Sequence, residues 1–207
     1  MKRWLNRHSL LVAAVAGSGL WLGFICGMSA AEGQSFFNYF VRNSITLPGV
    51  QPDGGFVLGN FENGESLEAW QTKQSKVAIS ADHAKEGKSS AQIAFFGHVK
   101  VSQVSLKNYF TSRDALYDWS KYKALSFYLF NPQGETQRVL FQIVDRKGRI
   151  YKEDFYVPGN SGQTFLIPME KISGEINVAR INELSFFEWN TGNGLYFHLD
   201  EVKLTVS

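Results

Sequence analysis

The stretch Leu199-Asp200-Glu201-Val202-Lys203-Leu204, near the end of the chain, has a counterpart in Asn60-Phe61-Glu62-Asn63-Gly64, where strand-like sequence begins. Each stretch places an acidic residue at a strand end. The carboxylates of Glu62 and Asp200 can meet only if the first and the last strand lie side by side. This pairing predicts one sandwich that is closed by its own two ends.

Ten strand-like runs extend from residue 56 to residue 206. Within one of them, Val139, Phe141 and Ile143 alternate with Leu140 and Gln142, which is typical of a strand with one buried face. The turn-forming stretches 131–134 and 145–148 predict hairpins. The candidate strands are 56–62, 76–81, 90–96, 101–107, 124–131, 137–145, 149–157, 163–167, 181–188 and 195–206, with brief helical turns near 111–118 and 169–173. The pattern predicts an all-β fold, a two-sheet antiparallel jelly-roll sandwich over residues 56–207.

Residues 1–31 differ from the rest of the chain. A basic start, with Lys2, Arg3 and Arg7, precedes an uncharged apolar run from Ser9 to Ala31. This order predicts a signal peptide that is cleaved after Ala31, or an uncleaved signal anchor, in either case an apolar helix. Both alternatives place the rest of the chain beyond the membrane, either periplasmic, at the cell surface or secreted. Residues 32–55 are rich in turn formers and are interpreted as a linker.

Charge and cysteine content exclude several kinds of partner and site. Three of the 21 basic residues lie in the leader and all 19 acidic residues follow it, so residues 32–207 carry a net charge of −1. This balance argues against nucleic acid and anionic membrane surfaces as partners. The single cysteine, Cys26, also lies in the leader, so the sandwich has no disulfide and no cysteine-ligated metal.

Four phrases, taken in order, resemble a known family. They are Phe61-Glu62 with Trp70, then Gly87-Lys88-Ser89-Ser90-Ala91-Gln92-Ile93, then Asp118-Trp119-Ser120-Lys121-Tyr122-Lys123-Ala124-Leu125-Ser126-Phe127, and the closing 199–204 stretch. Together they resemble carbohydrate-binding modules of the galactose-binding-like jelly-roll type, particularly the family 11-like group. They also resemble the related domain of the complex I intermediate-associated protein. The resemblance implies a β-sandwich that binds carbohydrate, with Trp70 and Trp119 as structural residues.

Glu62 and Asp200 are the candidate metal ligands. Carboxylate oxygens suit Ca²⁺, which also accepts backbone carbonyls. The resemblance implies a structural calcium ion at this place, with carbonyl ligands from the 85–88 loop. The alternative is that both are solvated charges, or that one pairs with Lys88 or Lys203.

A sugar-binding surface needs aromatic side chains for the apolar faces of sugar rings and planar polar groups for their hydroxyls. The outward-facing candidates are Tyr128, Gln142, Tyr151 and Trp189. Asp145 and Arg149, which flank one hairpin, and His198 are further possibilities. For each aromatic residue the alternative is a place in the core or at its rim.

Catalysis is the third class of function considered. Glu153, Asp154 and Glu188 could supply the paired carboxylates of a glycoside hydrolase, but alternation places Glu153 and Asp154 on opposite faces of their strand. We therefore expect a protein that is not an enzyme. The sequence predicts an exported, non-catalytic module that recognises a poly- or oligosaccharide by aromatic stacking and hydrogen bonds. The alternative is a protein-interaction or assembly domain of the cell envelope on the same fold.

Overall fold

The computed structural model describes residues 9–16, 19–26, 51, 53–107, 116–190 and 192–206. The chain divides into two units, 1–46 and 47–207, which are described separately. The predicted cleavage point after Ala31 and most of the predicted linker lie outside the described residues. No helix within the described ranges is both long and apolar enough to cross a membrane.

The first unit contains an antiparallel hairpin, not the apolar helix that the sequence predicts. Strand β1, Ser9–Ala16, pairs along its whole length with β2, Gly19–Cys26. Two apolar runs of eight residues carry no period that separates a helix from a buried strand. The helix prediction is wrong for these two segments.

The described part of the second unit contains eleven strands and very little helix. The strands are β3 Phe56–Gly59, β4 Trp70–Lys73, β5 Ser75–Ser80, β6 Ser90–Phe95, β7 Val101–Leu106, β8 Ala124–Asn131, β9 Gln137–Asp145, β10 Ile150–Val157, β11 Ser161–Pro168, β12 Ile181–Trp189 and β13 Leu195–Thr205. The helix α1, Met169–Ser173, and two 3₁₀ turns, Gly64–Leu67 and Val178–Arg180, complete the described elements. All ten predicted runs coincide with strands, and among the described strands of this unit β4 alone is not predicted.

The strands form two antiparallel sheets. The five-stranded sheet has the order β10-β9-β12-β7-β4, and the six-stranded sheet has the order β11-β8-β13-β6-β5, with β3 added beside β13. The first and last strands of the sandwich therefore pair, with Phe56 opposite Leu204 and Gly59 opposite Val202. The predicted jelly-roll sandwich is confirmed.

The core lies between the two sheets and is rich in phenylalanine. Phe127 of β8 lies 5.3 Å from Phe141 of β9 and 5.1 Å from Phe186 of β12, measured between ring centroids. Phe155 of β10 closes the cluster at 5.1 Å from Phe127. Each such edge or offset contact contributes about 1 kcal/mol beyond the burial of apolar area. The residues that alternate along each strand with these buried side chains therefore point outward.

The two tryptophans that were interpreted as structural are buried. Trp119 is fully enclosed, and its indole N–H donates to the Leu116 carbonyl at 3.0 Å. Trp70 packs at 5.7 Å from Phe61. Both predictions are confirmed, so neither indole is available to a ligand.

Candidate functional site

The outer face of the five-stranded sheet is the candidate binding surface, and we call it the Trp189 face. It consists of the residues of β10, β9, β12, β7 and β4 that alternate with the core positions. Two complete rows cross it. One row is Asp154, Leu140, Phe187, Gln103 and Lys73, and the next is Lys152, Gln142, Ser185, Ser105 and Gln71.

The end row of this face carries two exposed aromatic rings. Tyr156 of β10 is 60% exposed and lies opposite Arg138 of β9, and Trp189 of β12 is 51% exposed and lies opposite Val101 of β7. The strand β9 separates β10 from β12, so the two aromatic positions are about 10 Å apart across the sheet. This spacing is about the length of a disaccharide. Two rings on one face can therefore act as neighbouring stacking platforms.

A charged group lies between the two rings. The guanidinium of Arg138 lies 3.6 Å from the carboxylate of Asp154 and 3.8 Å from that of Glu188. Burial raises the pKa of Glu188 to about 7, against the opposing effect of Arg138 and of two backbone N–H groups. One oxygen of Glu188, Oε1, is buried without a hydrogen-bond partner among the described residues. Arg138 and Asp154 are half exposed and can exchange hydrogen bonds with a hydroxylated ligand.

The middle of the Trp189 face supports the indole and adds amide groups. Phe187 is almost buried and lies 6.3 Å from Trp189, so it forms an apolar base beside the exposed ring. The side-chain amide of Gln103 donates to Glu183 at 2.7 Å. Gln142 is partly exposed, between Lys152 and Ser185.

The four predicted ligand-binding residues do not form one site. Trp189 and Gln142 share the Trp189 face. Tyr128 lies on the outer face of the other sheet. Tyr151 has no exposed surface, and its hydroxyl donates to Glu153.

The expectation that Tyr151 faces outward is wrong. It pairs with Ile143, whose side chain points into the core, and residues paired across antiparallel strands share a face. Burial raises the pKa of the Tyr151 hydroxyl, as does its hydrogen bond to Glu153. The same alternation places Tyr156 outward. That residue was missed, although the apolar positions Phe155 and Val157 on either side of it carry the signal.

A loop covers part of the outer face of the six-stranded sheet. In residues 81–89, the His83 ring stacks on Phe130 at 3.7 Å, and the Lys85 ammonium lies 5.6 Å from the Tyr128 ring. The Tyr128 hydroxyl packs so closely on Gly162 that a Cβ there would collide with it. Tyr128 is thus engaged by the protein itself, and this face offers less free surface than the Trp189 face.

The candidate metal ligands both reach this same loop. Asp200 accepts hydrogen bonds from the backbone N–H groups of Lys85 at 2.8 Å and Glu86 at 3.2 Å. Glu62 accepts from the N–H groups of residues 88 and 89, at 3.1 and 3.2 Å. The 81–89 loop thus contacts the Glu62 and Asp200 carboxylates through its backbone N–H groups. Gly87, between these contacts, has φ +70° and leaves no room for a Cβ beside the Glu62 carboxylate.

Glu62 and Asp200 carry carboxylate oxygens, which are the kind of ligand that a hard cation such as Ca²⁺ takes. Asp200 is fully buried, and burial raises its pKa to about 6 in spite of three backbone hydrogen bonds that act in the opposite direction. A buried carboxylate of this kind gains from a nearby positive charge. Within the described ranges, no group of three acidic, histidine or cysteine side chains is placed to hold a metal ion.

The other predicted polar candidates have structural partners. Asp145 is buried in its hairpin, where burial would raise its pKa. Backbone N–H groups, including those of Asn177 and Arg149, and the Arg149 guanidinium outweigh that effect and lower the pKa to about 2. His198 is buried, with its Nδ1 3.0 Å from the Ser90 hydroxyl.

Of the three carboxylates considered for catalysis, Glu153 and Asp154 point to opposite sides of β10. Glu153 pairs with Lys171 at 2.6 Å, and Asp154 faces Arg138. The alternation that the sequence indicates is therefore confirmed. The two groups cannot act together on one bond.

Comparison with known proteins gives a family for this sandwich. Residues 60–196 match the model of the family described as agarase CBM like domain. No curated protein sequence matches the chain.

The solved structures that resemble the chain share its fold. An exo-β-agarase matches with a TM-score of 0.59 and 12% identity over 72% of this chain. A family 11 carbohydrate-binding module from Clostridium thermocellum, solved with a β-1,3-1,4-mixed-linked tetrasaccharide, matches with a TM-score of 0.55 and 17% identity over 75% of this chain and 97% of its own. The CBM22-1 xylan-binding domain from Paenibacillus barcinonensis matches with a TM-score of 0.51 and 18% identity over 73% of this chain and 94% of its own. The chain spans only 24% of the exo-β-agarase.

Proposed function

This chain belongs to the agarase CBM-like domain family, and from that premise we propose that its sandwich is a carbohydrate-binding module without catalytic activity. It binds a poly- or oligosaccharide on the Trp189 face. The observation that carries the proposal is the pair of exposed rings, Trp189 and Tyr156, on one sheet face with Arg138 between them.

Stacking supplies the apolar part of the interaction. Sugar rings present C–H groups on their flat faces, and exposed indole and phenol rings cover those groups. The Phe187 ring lies 6.3 Å from the Trp189 ring and extends the apolar surface beside it. Trp189 and Tyr156 then hold two successive residues of one chain.

Hydrogen bonds supply orientation. Arg138 donates to ring and hydroxyl oxygens, and Asp154 accepts from hydroxyl groups. Gln142 can do both, since its amide carries a donor and an acceptor. Arg138 lies in the row of Tyr156, Asp154 lies in the next row, and Gln142 lies in the row beyond that on the same face.

The family and the structural neighbours suggest which glycans to test. Galactans of the agarose type come from the family description, and mixed-linked β-glucan and xylan come from the neighbouring modules. We further propose that the chain is exported, by virtue of its basic and apolar N-terminus, and that Glu62 and Asp200 hold a structural calcium ion.

The test is a binding measurement of the full chain against agarose, mixed-linked β-glucan and xylan, in calcium. Trp189→Ala and Tyr156→Ala should each weaken binding at least about tenfold, which corresponds to ~1.4 kcal/mol. Tyr196→Ala is the matched control, because Tyr196 is an exposed aromatic residue on the other sheet. Unchanged affinity in both Trp189→Ala and Tyr156→Ala would refute the Trp189 face as the site.

A folded protein that binds none of these glycans would favour the alternative of a protein-interaction domain in the cell envelope. The exposed rings would then belong to a protein contact. A pull-down from envelope extract with the wild type and with Trp189→Ala would test that alternative.

A further inference from the structure

A polar cleft of 490 Å³ opens at one end of the sandwich. One wall is the β8–β9 turn, with Gln133, Glu135 and Gln137. The other wall is the β12–β13 loop, with Gly192–Leu195. This volume lies within the range of about 300–1,000 Å³ that is typical of small-ligand sites.

The first wall is fixed by a buried asparagine. The Asn131 side chain donates to the carbonyls of Glu135 at 2.8 Å and Val157 at 3.0 Å, and it accepts from the Gln133 N–H at 2.9 Å. These bonds lock the turn in one conformation. The backbone at Gln133 and Glu135 is therefore fixed at the cleft before any ligand binds.

The second wall is fixed by close backbone contact. A Cβ on Gly97 would lie 2.6 Å from the backbone nitrogen of Gly194, so only glycine allows this approach. Leu195 then pairs with Phe95 of β6 and continues as β13. Both walls are preformed, which lowers the entropy cost of binding.

The chemistry of the cleft suits a neutral, hydroxylated ligand. Its polar side chains are the amides of Gln133, Gln137 and Asn193 and the carboxylate of Glu135, and none of the described residues that line it is a lysine or an arginine. The Oε1 atom of Gln133 is buried without a hydrogen-bond partner among the described residues. Amide groups donate to hydroxyl groups and accept from them, and a carboxylate accepts from them, whereas a lining without cations disfavours sulfated or uronic sugars.

The cleft is adjacent to the aromatic row of the Trp189 face. Gln137 directly precedes Arg138 on β9, and the loop that forms the second wall begins just after Trp189. A sugar chain that stacks on Trp189 therefore has the cleft within reach of its end.

We propose that this cleft is a second carbohydrate subsite, which takes the terminal sugar of a neutral glycan whose next residues stack on Trp189 and Tyr156. The inference rests on the proposed carbohydrate-binding function and adds a place where the end of the chain is recognised. The terminal sugar is held in the cleft mainly by hydrogen bonds, and the next sugars are held on Trp189 and Tyr156 mainly by stacking.

The experiment is an NMR titration of the full chain with a neutral agarose-derived tetrasaccharide and with a β-1,3-1,4-mixed-linked glucan tetrasaccharide. The backbone amides of Gly134, Gly192 and Gly194 report on the cleft, and the indole N–H of Trp189 reports on the row. We expect both groups of signals to shift with the same dissociation constant. A sulfated galactan tetrasaccharide should leave the three glycine signals in place.

The double variant Glu135→Ala/Asn193→Ala removes two exposed side chains of the cleft. It should weaken tetrasaccharide binding about tenfold and abolish the glycine shifts, while the Trp189 indole still responds. Glu170→Ala is the matched control, since it removes one exposed carboxylate from α1 at the opposite end of the sandwich.

Shifts confined to Trp189 and Tyr156, with wild-type affinity in the double variant, would overturn the cleft and leave the proposed function standing. The glycine signals could also still shift in Trp189→Ala, with wild-type affinity. That result would show that the aromatic row does not bind the glycan, and that one sugar chain does not occupy both the row and the cleft. No response to either tetrasaccharide at any of these signals would overturn both.

Discussion

Asp200 and Glu188 are buried carboxyl groups, and burial raises the pKa of the first to about 6 and of the second to about 7. A carboxyl group with a pKa that is higher in the folded than in the unfolded chain binds its proton more tightly when folded. Its favourable contribution to stability is present at low pH and is lost as the pH rises from the unfolded value through the folded value. Both groups therefore make the protein less stable at neutral pH.

Asp200→Asn should remove this loss of stability at its site. With chelator present, the free energy of unfolding of the variant relative to wild type should rise between pH 4 and pH 6, by up to ~3 kcal/mol for a shift of two units. Denaturant unfolding at several pH values measures the difference. Asp118→Asn is the control of opposite sign, because hydrogen bonds to Ser120 lower the pKa of Asp118. A difference that is flat with pH would contradict the raised pKa of Asp200.

Tyr151→Phe tests whether Tyr151 lies outside the glycan-binding site. The hydroxyl of Tyr151 donates to Glu153 inside the sandwich, and no part of the ring is exposed. The variant should lose about 1 kcal/mol of stability and keep wild-type affinity for any glycan that the protein binds. Thermal melting and isothermal titration measure the two quantities. Weaker glycan binding at unchanged stability would return Tyr151 to the site.

At the scale of the elements, alternation predicted nearly every strand, because a half-buried strand must repeat every two residues. Strand β4 was missed because it is a short edge strand, in which Gln71, Thr72 and Lys73 are all exposed. The N-terminal hairpin was missed because an uncharged apolar run has no distinguishing period. The pairing of β3 with β13 was predicted from the two acidic phrases alone.

The candidate site was less predictable than the strands. Trp189 and Gln142 were predicted on the outer surface and share one face. Tyr151 was assigned to the wrong face, because β10 alternates polar and aromatic residues on both sides. Phe155 and Val157 lie on the same side of β10 as Tyr151 and indicate that this side is buried, and the pairing of Tyr151 with Ile143 of β9 agrees with them.

Asn131 determines the shape of the β8–β9 connection. Asn131→Ala would leave the carbonyls of Glu135 and Val157 and the N–H of Gln133 without their partner. We expect a loss of about 2–4 kcal/mol in the free energy of unfolding, since each buried unpaired group costs about 1–3 kcal/mol. Asn193→Ala, at an exposed position of the opposite wall, should change stability by less than about 0.5 kcal/mol. Equal effects of the two substitutions in urea unfolding would show that Asn131 has no special role.

At the scale of the whole molecule, the two outer faces of the sandwich have different roles. The 81–89 loop lies over Phe130 and Tyr128 and joins Glu62 to Asp200, so the outer face of the six-stranded sheet serves the closure of the domain. The Trp189 face keeps two exposed rings. We infer that ligand binding is assigned to one sheet and the linkage of the chain ends to the other.

Calcium should act on this linkage and therefore on global stability. Glu62, the 85–89 segment and Asp200 are far apart in sequence and meet only in the folded chain, so an ion bound there stabilises the folded state alone. At calcium concentrations about 100 times the dissociation constant, the gain is about 2.7 kcal/mol. The melting temperature of wild type should rise with Ca²⁺ and fall with chelator, and Asp200→Asn should show neither change. The control is Glu201→Gln, which changes a neighbouring acidic residue that pairs with Lys203 and should respond as wild type does.

A wild-type melting curve that chelator and added Ca²⁺ leave unchanged would show that the loop N–H groups alone hold the two carboxylates. The closure of the sandwich would then depend on hydrogen bonds, and its stability would follow the pH dependence of Asp200 without any metal.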